Sequence, residues 1–329
     1  MSQEGSRFLL APTGRCAVLL DLETGALCRL AGAAVAIAGG LAEGQEPEAV
    51  ARRLSREAGI DESQARSDVA TVWSQITATP PEAPAGGQVT FQAAEGGFEM
   101  RHQGRPVLHL DRGGVRATWR GDRAAGPGAE WRLRLALPHL LMLRGQPVLH
   151  AASVRRGRGA LAISGATGAG KSTLAGLLSG GGPPLSEDLT LVRVEPAGGR
   201  MLLGAEAEGR RWSSARAGEL RDTGRTSLSD AHVETMARGP SLALEEIWFL
   251  DAAHRGGESI DPVRLAEEET LVALLRNGFG ELAVREVWRL LFETSRALAA
   301  CAVGARVCLP ATRPALEEAA RRYREKVAS

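Results

Sequence analysis

Apolar positions change their spacing several times along this chain, and each change marks an element. Residues 16–22 and 26–30 are short apolar runs separated by Glu23-Thr24-Gly25, turn chemistry that predicts a β-hairpin. The small apolar residues of 31–41 predict a short buried helix. Pro47 suits the first turn of the next helix and Gly59 its C-terminal cap, with Val50, Leu54 and Ala58 on one face. A third helix is expected from Asp61, with Gln64 as its capping-box partner and Ala65, Val69, Val72, Trp73 and Ile76 at helical spacing. Further on, residues 88–120 alternate polar and apolar between glycine-containing breaks, as short antiparallel strands do. A helix is predicted over 133–143 despite Pro138, then strands over 148–154 and 161–164. A helix over 172–179, halted by Gly180-Gly181-Gly182, precedes a strand over 189–194. The remainder predicts a strand over 244–250, helices over 262–276, 281–302 and 313–327, and a strand at 306–309.

Between the two regions, Thr79-Pro80-Pro81-Glu82-Ala83-Pro84-Ala85-Gly86-Gly87 has no apolar period and reads as a linker. At 329 residues there is room for about two domains, expected at 1–78 and 89–329 with 79–88 between them. Hydrophobic residues make up 44% and charged residues 24%, a globular rather than a disordered composition. The 40 basic and 39 acidic residues leave a net charge of +1, so no nucleic-acid partner is expected. No apolar run is long enough to span a bilayer, and the first residues do not resemble a signal sequence; a cytoplasmic protein without membrane contact is expected. Cys16, Cys28, Cys301 and Cys308 show no metal-site or disulfide spacing.

Charge is unevenly spread. Residues 101–158 carry 12 basic and 3 acidic side chains, against 7 and 10 in residues 1–78. Such a stretch is either a solvated arginine face or a field that draws a polyanion, such as ATP or an acidic peptide. Only Lys171 and Lys326 are lysines; the other 38 basic residues are arginine. A lysine retained in this background marks a place where the arginine fork would not serve.

Lys171 stands in such a place. Gly165-Ala166-Thr167-Gly168-Ala169-Gly170-Lys171-Ser172-Thr173 fits the pattern G-x-x-x-x-G-K-[ST] between a predicted strand and a predicted helix. The glycines let successive N–H groups turn inward to cradle phosphate oxygens, and the helix N-terminus adds partial positive charge. Lys171 would meet the β- and γ-phosphates, and the Ser172 hydroxyl would ligate Mg²⁺. Downstream, Leu185-Ser186-Glu187-Asp188 puts two carboxylates ahead of the next strand. One suits Mg²⁺ coordination; the other suits accepting a proton from an attacking hydroxyl. His150, in Val148-Leu149-His150-Ala151-Ala152, lies on a strand expected beside the loop. Arg221 and Arg225 are candidates for transition-state charge.

Two resemblances follow from these residues. The run 19–30 (Leu-Leu-Asp-Leu-Glu-Thr-Gly-Ala-Leu-Cys-Arg-Leu), an alanine-rich helix and two amphipathic helices resemble the PqqD-like winged helix, over residues 8–77. That family binds the leader of a ribosomal precursor peptide as an added strand at its hairpin edge, against its third helix. Leu149-His150-Ala151-Ala152, the glycine loop and Leu185–Asp188 resemble the HPr kinase/phosphorylase family, whose fold is shared with phosphoenolpyruvate carboxykinase. The likeness is specific over residues 133–195. That family carries Asp-Asp where this chain has Glu187-Asp188, and its later signature with a metal-binding Glu and an active-site Arg is not visible here. The resemblance implies Asp188 as catalytic base, His150 as an auxiliary group, Lys171 as phosphate clamp and Ser172 as a Mg²⁺ ligand; Glu187 and Asp188 are the carboxylates the sequence itself offers to that ion.

The expected fold is therefore α/β: an HPr-kinase-like P-loop domain with a small N-terminal winged-helix α+β domain. The expected function is an ATP- and Mg²⁺-dependent serine kinase acting on a ribosomal precursor peptide, similar to kinases that tailor lasso-type peptides. Homo-oligomerisation is compatible with it. A nucleotide-gated leader-binding adaptor, or a regulatory HPr-type protein kinase, are the alternatives.

Overall fold

The computed structural model describes residues 6–13, 16–23, 25–77, 89–120, 128–196, 198–238, 240–251, 256, 259–278 and 284–328. The expected linker, residues 79–88, lies outside them.

The N-terminal unit opens with β1 (Phe8–Thr13), a strand the pattern did not announce, followed by β2 (Cys16–Asp21) and β3 (Leu27–Ala31). They form an antiparallel sheet in the order β1-β2-β3, with Leu19 opposite Leu10 and Cys28. Then come α1 (Ala33–Ala42), α2 (Pro47–Ala58) and α3 (Glu62–Thr77). Pro47 and Gly59 bound α2 as expected, Gly59 in the left-handed conformation (φ 65°) that ends a helix without a Cβ clash. The capping box at α3 does not form. Asp61 Oδ1 accepts from the Ser63 N–H at 2.7 Å, but Gln64 turns forward to Asp68. Phe8, Leu19 and Leu30 project from one sheet face onto Ile37, Val50, Val69 and Ile76 of the three helices.

The next unit is a second antiparallel sheet of β4 (Val89–Ala94), β5 (Gly97–His102), β6 (Arg105–Asp111) and β7 (Arg116–Trp119). Helix α4 (Ala129–Leu143) covers its inner face. It begins four residues earlier than the pattern predicts and keeps Pro138 in its interior. Proline costs a helix one hydrogen bond; here nearly the whole surrounding surface is buried and packing outweighs that loss. Arg132 of α4 lies buried with its guanidinium 4.0 Å above the Trp119 ring.

The third sheet is mixed. Its elements are, in chain order, β8 (Val148–Arg156), β9 (Gly159–Ser164), α5 (Lys171–Leu178), β10 (Leu189–Glu195), β11 (Gly198–Leu202), α6 (Ala205–Thr223), β12 (Arg225–Ser227), α7 (Asp230–Ala237), β13 (Ser241–Leu250), β14 (Val263–Arg264), α8 (Glu267–Arg276), α9 (Arg285–Cys301), β15 (Val303–Val307) and α10 (Arg313–Ala328). The strand order is β11-β10-β8-β9-β13-β15-β14, with β9, β13 and β15 mutually parallel and the rest antiparallel. β12 instead joins the second sheet beside β7. Residues 262–276 were expected to be one helix; Val263 and Arg264 pair with β15, and the helix starts only at Glu267. The strand expected at 306–309 lies at Val303–Val307. No helix among the described residues is long and apolar enough to cross a membrane.

The N-terminal sheet has two buried faces. Leu9, Ala11, Val18, Leu20 and Leu22 point away from α1–α3 and join the core that holds Leu271, Leu274, Val287 and Leu291 of α8 and α9. Arg29 of β3 pairs with Glu268 of α8 at 2.8 Å. Gly25 packs so closely on Trp288 of α9 that a Cβ there would lie 2.6 Å from the indole. The two units thus share one continuous core.

Candidate functional site

β9 is buried along its whole length, held antiparallel by β8 on one side and parallel by β13 on the other. It delivers the chain to the glycine loop at the carboxyl end of the parallel strands, where open α/β sheets place their ligands. Gly165, Gly168 and Gly170 take φ of 152°, 80° and 102°, the region that favours glycine. Ala166, Thr167 and Gly168 form an exposed tip, while Ala169 anchors the loop in the core. Gly168 has open space where a Cβ would stand. Helix α5 starts at Lys171, so its first N–H groups face the same space, with Ser172 and Thr173 exposed beside them. The loop fits a phosphate group by backbone donors, free space and helix polarity together.

Lys171 is only 6% exposed. Its Nζ donates to the carbonyls of Gly165 at 2.9 Å and Ala166 at 3.3 Å, folding the loop around its own ammonium. Burial pushes its pKa down and the Asp188 carboxylate opposes that shift.

The acidic turn after α5 is fixed by hydroxyls. Ser153 of β8 gives its carbonyl to the Leu185 and Ser186 N–H groups and its own N–H to the Ser186 carbonyl. Thr190 Oγ1 donates to the Ala151 carbonyl at 2.8 Å. With that proton spent, Ser186 must donate to Thr190 and Ser153 to Ser186, a directed chain through buried oxygens. The outcome is a turn whose next two residues face the loop: Ser172 Oγ donates to the Glu187 carbonyl at 3.1 Å.

Here the predicted residues converge. His150 Nε2 lies 3.0 Å from Asp188 Oδ1, because Leu189 is directly opposite His150 in the β8–β10 ladder. The hydrogen bond from His150, with the charges of His150, Lys171 and Arg210, holds the Asp188 carboxyl below its usual range against the effect of burial. Behind it, His139 of α4 is 4% exposed, its ring centre 3.9 Å from that of Phe91 with the planes tilted by 49°. Burial, reinforced by His150, pushes its pKa down to about 3.

Two residues at this site were missed. Glu206, in the first turn of α6, accepts from the N–H groups of Glu187 at 2.5 Å and Asp188 at 3.3 Å. Arg210, one turn on, pairs with Glu206 and reaches Glu187 at 2.6 Å. Hydrogen bonds to Glu206 and then Glu187 raise its pKa. The signal was present as Glu206-x-x-x-Arg210, the i, i+4 pairing of a helix. Arg221 and Arg225 are not brought to the site. Arg221 lies about 22 Å along α6 from Glu206, and Arg225 stands on an edge strand of the second sheet. A second missed carboxylate, near the loop, is Asp251, which follows β13. Phe249 pairs with Ser164 in parallel register, so Asp251 is level with the start of the loop.

For a metal, the picture is partial. Ser172, Glu187 and Asp188 are adjacent, but Arg210 holds the Glu187 carboxylate. Among the described residues no group of three or more His, Cys, Asp or Glu is arranged to hold a metal ion. Mg²⁺ carried by a nucleotide needs only one or two carboxylates besides phosphate oxygens, a demand that Ser172 and Asp188 fit.

Residues 16–78 match the family described as coenzyme PQQ synthesis protein D (PqqD), so a PqqD domain occupies that stretch. The match covers the three helices and two of the three strands of the N-terminal unit and stops before the glycine loop. No curated protein matches the chain.

Proposed function

We propose that the chain is an ATP-dependent kinase that phosphorylates a hydroxyl, in the first instance serine, of a ribosomal precursor peptide. The convergence of Lys171 and the His150–Asp188 pair at a glycine loop carries this reading. The PqqD domain supports the choice of substrate, since such domains bind precursor peptides, and the free edge of β3 beside α3 suits an added strand. The likeness to HPr kinase/phosphorylase supports the choice of reaction.

On this reading the loop N–H groups and Lys171 hold the β- and γ-phosphates. Mg²⁺, when bound at Ser172 and Asp188, supplies neutralising charge to the phosphates. Asp188 receives the hydroxyl proton through one oxygen while His150 orients the carboxylate. Its depressed pKa makes it a weak base, which suits phosphoryl transfer, because little proton movement precedes bond cleavage in a loose transition state. Arg210, in place of Arg221 and Arg225, is the arginine beside the acidic turn. Glu206 keeps the 187–188 backbone in place.

The test is incubation of the full chain with ATP, Mg²⁺ and a leader-bearing precursor, read by intact mass. A gain of about 80 Da per phosphoryl group, absent in Lys171→Ala, is expected. Nucleotide binding with no mass gain would replace this reading by the adaptor.

A further inference from the structure

The basic stretch of the sequence is sorted by the fold. Arg132 is buried, Arg134 pairs with Glu130, Arg144 with Asp230 and Arg156 with Glu246. Of the others, Arg155 and Arg158 stand at the β8–β9 turn, and Arg101, Arg105, Arg112, Arg116 and Arg120 lie on the second sheet or its turns. Its order is β12-β7-β6-β5-β4, and its inner face carries Met100, Leu108, Leu110, Ala117 and Trp119 into the core beside α4 and α6. Alternation therefore turns Arg116, Thr118 and Arg120 outward on β7 and just past it. β12 adds Arg225 and Ser227, Arg225 directly opposite Thr118, while Thr226 points inward to Glu219 of α6.

The outer face is electrically split. On the β4–β6 half, Arg101 is balanced by Glu99, and Asp111 gives one oxygen to the Val115 and Arg116 N–H groups. On the β7–β12 half, Arg116, Arg120 and Arg225 are exposed and, among the described residues, have no ion pair. Arg116 and Arg120 are about 13 Å apart along the strand, with Arg225 between them across Thr118. Steps of about 7 Å are the spacing of alternate side chains on an extended peptide. β12 offers little backbone for strand addition, because Thr223 bonds the Arg225 N–H and carbonyl and Trp212 the Ser227 carbonyl, so the arginine side chains are the means of contact.

We propose that this half of the sheet is a docking surface for an acidic, extended stretch of the peptide substrate. It rests on the peptide-substrate reading given above. A nucleic acid fits less well: among the described residues no Phe, Tyr or Trp stands on the β7–β12 face for bases to stack on. Helix α6 links the two places, with Arg210 at the site and β12 just after its other end, about 20 Å away. A substrate with carboxylates some distance along the chain from its acceptor hydroxyl would engage both.

The test needs no phosphoryl transfer. A fluorescein-labelled octaglutamate peptide is titrated with the full chain without ATP, and anisotropy is read at low and physiological salt. Saturable binding that weakens with salt is expected. Affinity should fall about tenfold in Arg116→Glu/Arg225→Glu, and a smaller fall in the same direction is expected in Arg116→Gln/Arg225→Gln. Arg155→Glu/Arg158→Glu, an equal charge change at the β8–β9 turn, should leave affinity within about twofold of wild type. No saturable binding, or equal losses in the Arg155/Arg158 control, would overturn the surface. Tighter binding of oligothymidylate through the same arginines would overturn the peptide in favour of nucleic acid. A failed mass gain with intact octaglutamate binding would sink the kinase and leave the surface standing.

Discussion

Asp188 and His139 show how two groups at one place answer to opposite demands. Asp188 faces solvent and is held as a carboxylate by His150, Lys171 and Arg210. Replacing it with asparagine keeps the shape and removes the base, so transfer should fall by at least about a hundredfold. ATP affinity should stay within a few fold, as equilibrium dialysis would check. His139 is neutral in the fold because burial excludes the charged form. Its folded pKa, about 3, lies below the value near 6.5 expected of the unfolded chain. The unfolded state therefore binds the extra proton between these values. Stability is full above about pH 6.5 and falls as pH drops, by up to about 1.4 kcal/mol per unit. Urea midpoints at pH 7 and pH 5 should show a loss that shrinks by about 2 kcal/mol in His139→Gln.

Among elements, the first turn of α6 and the 185–190 turn form one device. Glu206 accepts two backbone N–H groups from the acidic turn, and Arg210 clamps Glu187 from the same helix face. Glu206→Gln keeps the side-chain length but loses the charge that receives those N–H groups and pairs with Arg210. A drop of roughly tenfold in kcat with little change in the KM for ATP is expected from a positioning group. An unchanged kcat would mean the serine–threonine hydroxyl chain holds the turn alone. The element pattern was legible where periodicity was strong, as in α2, α3 and β9. It failed where short strands carry weak signals: β11, β12 and β14 have two to five residues each, and β12 and β14 pair with strands distant in sequence.

At the scale of the molecule, the PqqD domain is not a loosely tethered module. Its sheet shares a core with α8 and α9, Arg29 pairs with Glu268, and Gly25 seats on Trp288. A leader bound on β3 would thus sit at a fixed place relative to the loop, limiting which acceptor hydroxyls reach it. The shared core predicts one cooperative thermal transition for the full chain. Trp288→Ala should lower stability by about 1–3 kcal/mol without splitting that transition; two separate transitions in calorimetry of the wild type would contradict the shared core.

The sequence by itself determined the glycine loop and its lysine, because those residues are contiguous and their chemistry is local. It also determined the winged-helix pattern of the first 78 residues, whose helices and hairpin are set by neighbours in the chain. Tertiary structure decided what depends on residues far apart. It paired His150 with Asp188 across the β8–β10 ladder, and it brought Glu206 and Arg210 to the acidic turn while taking Arg221 and Arg225 away. It also divided the arginines into buried, paired and exposed. A contact between distant residues is fixed by strand register and helix phase, and neither is written in the local order of side chains.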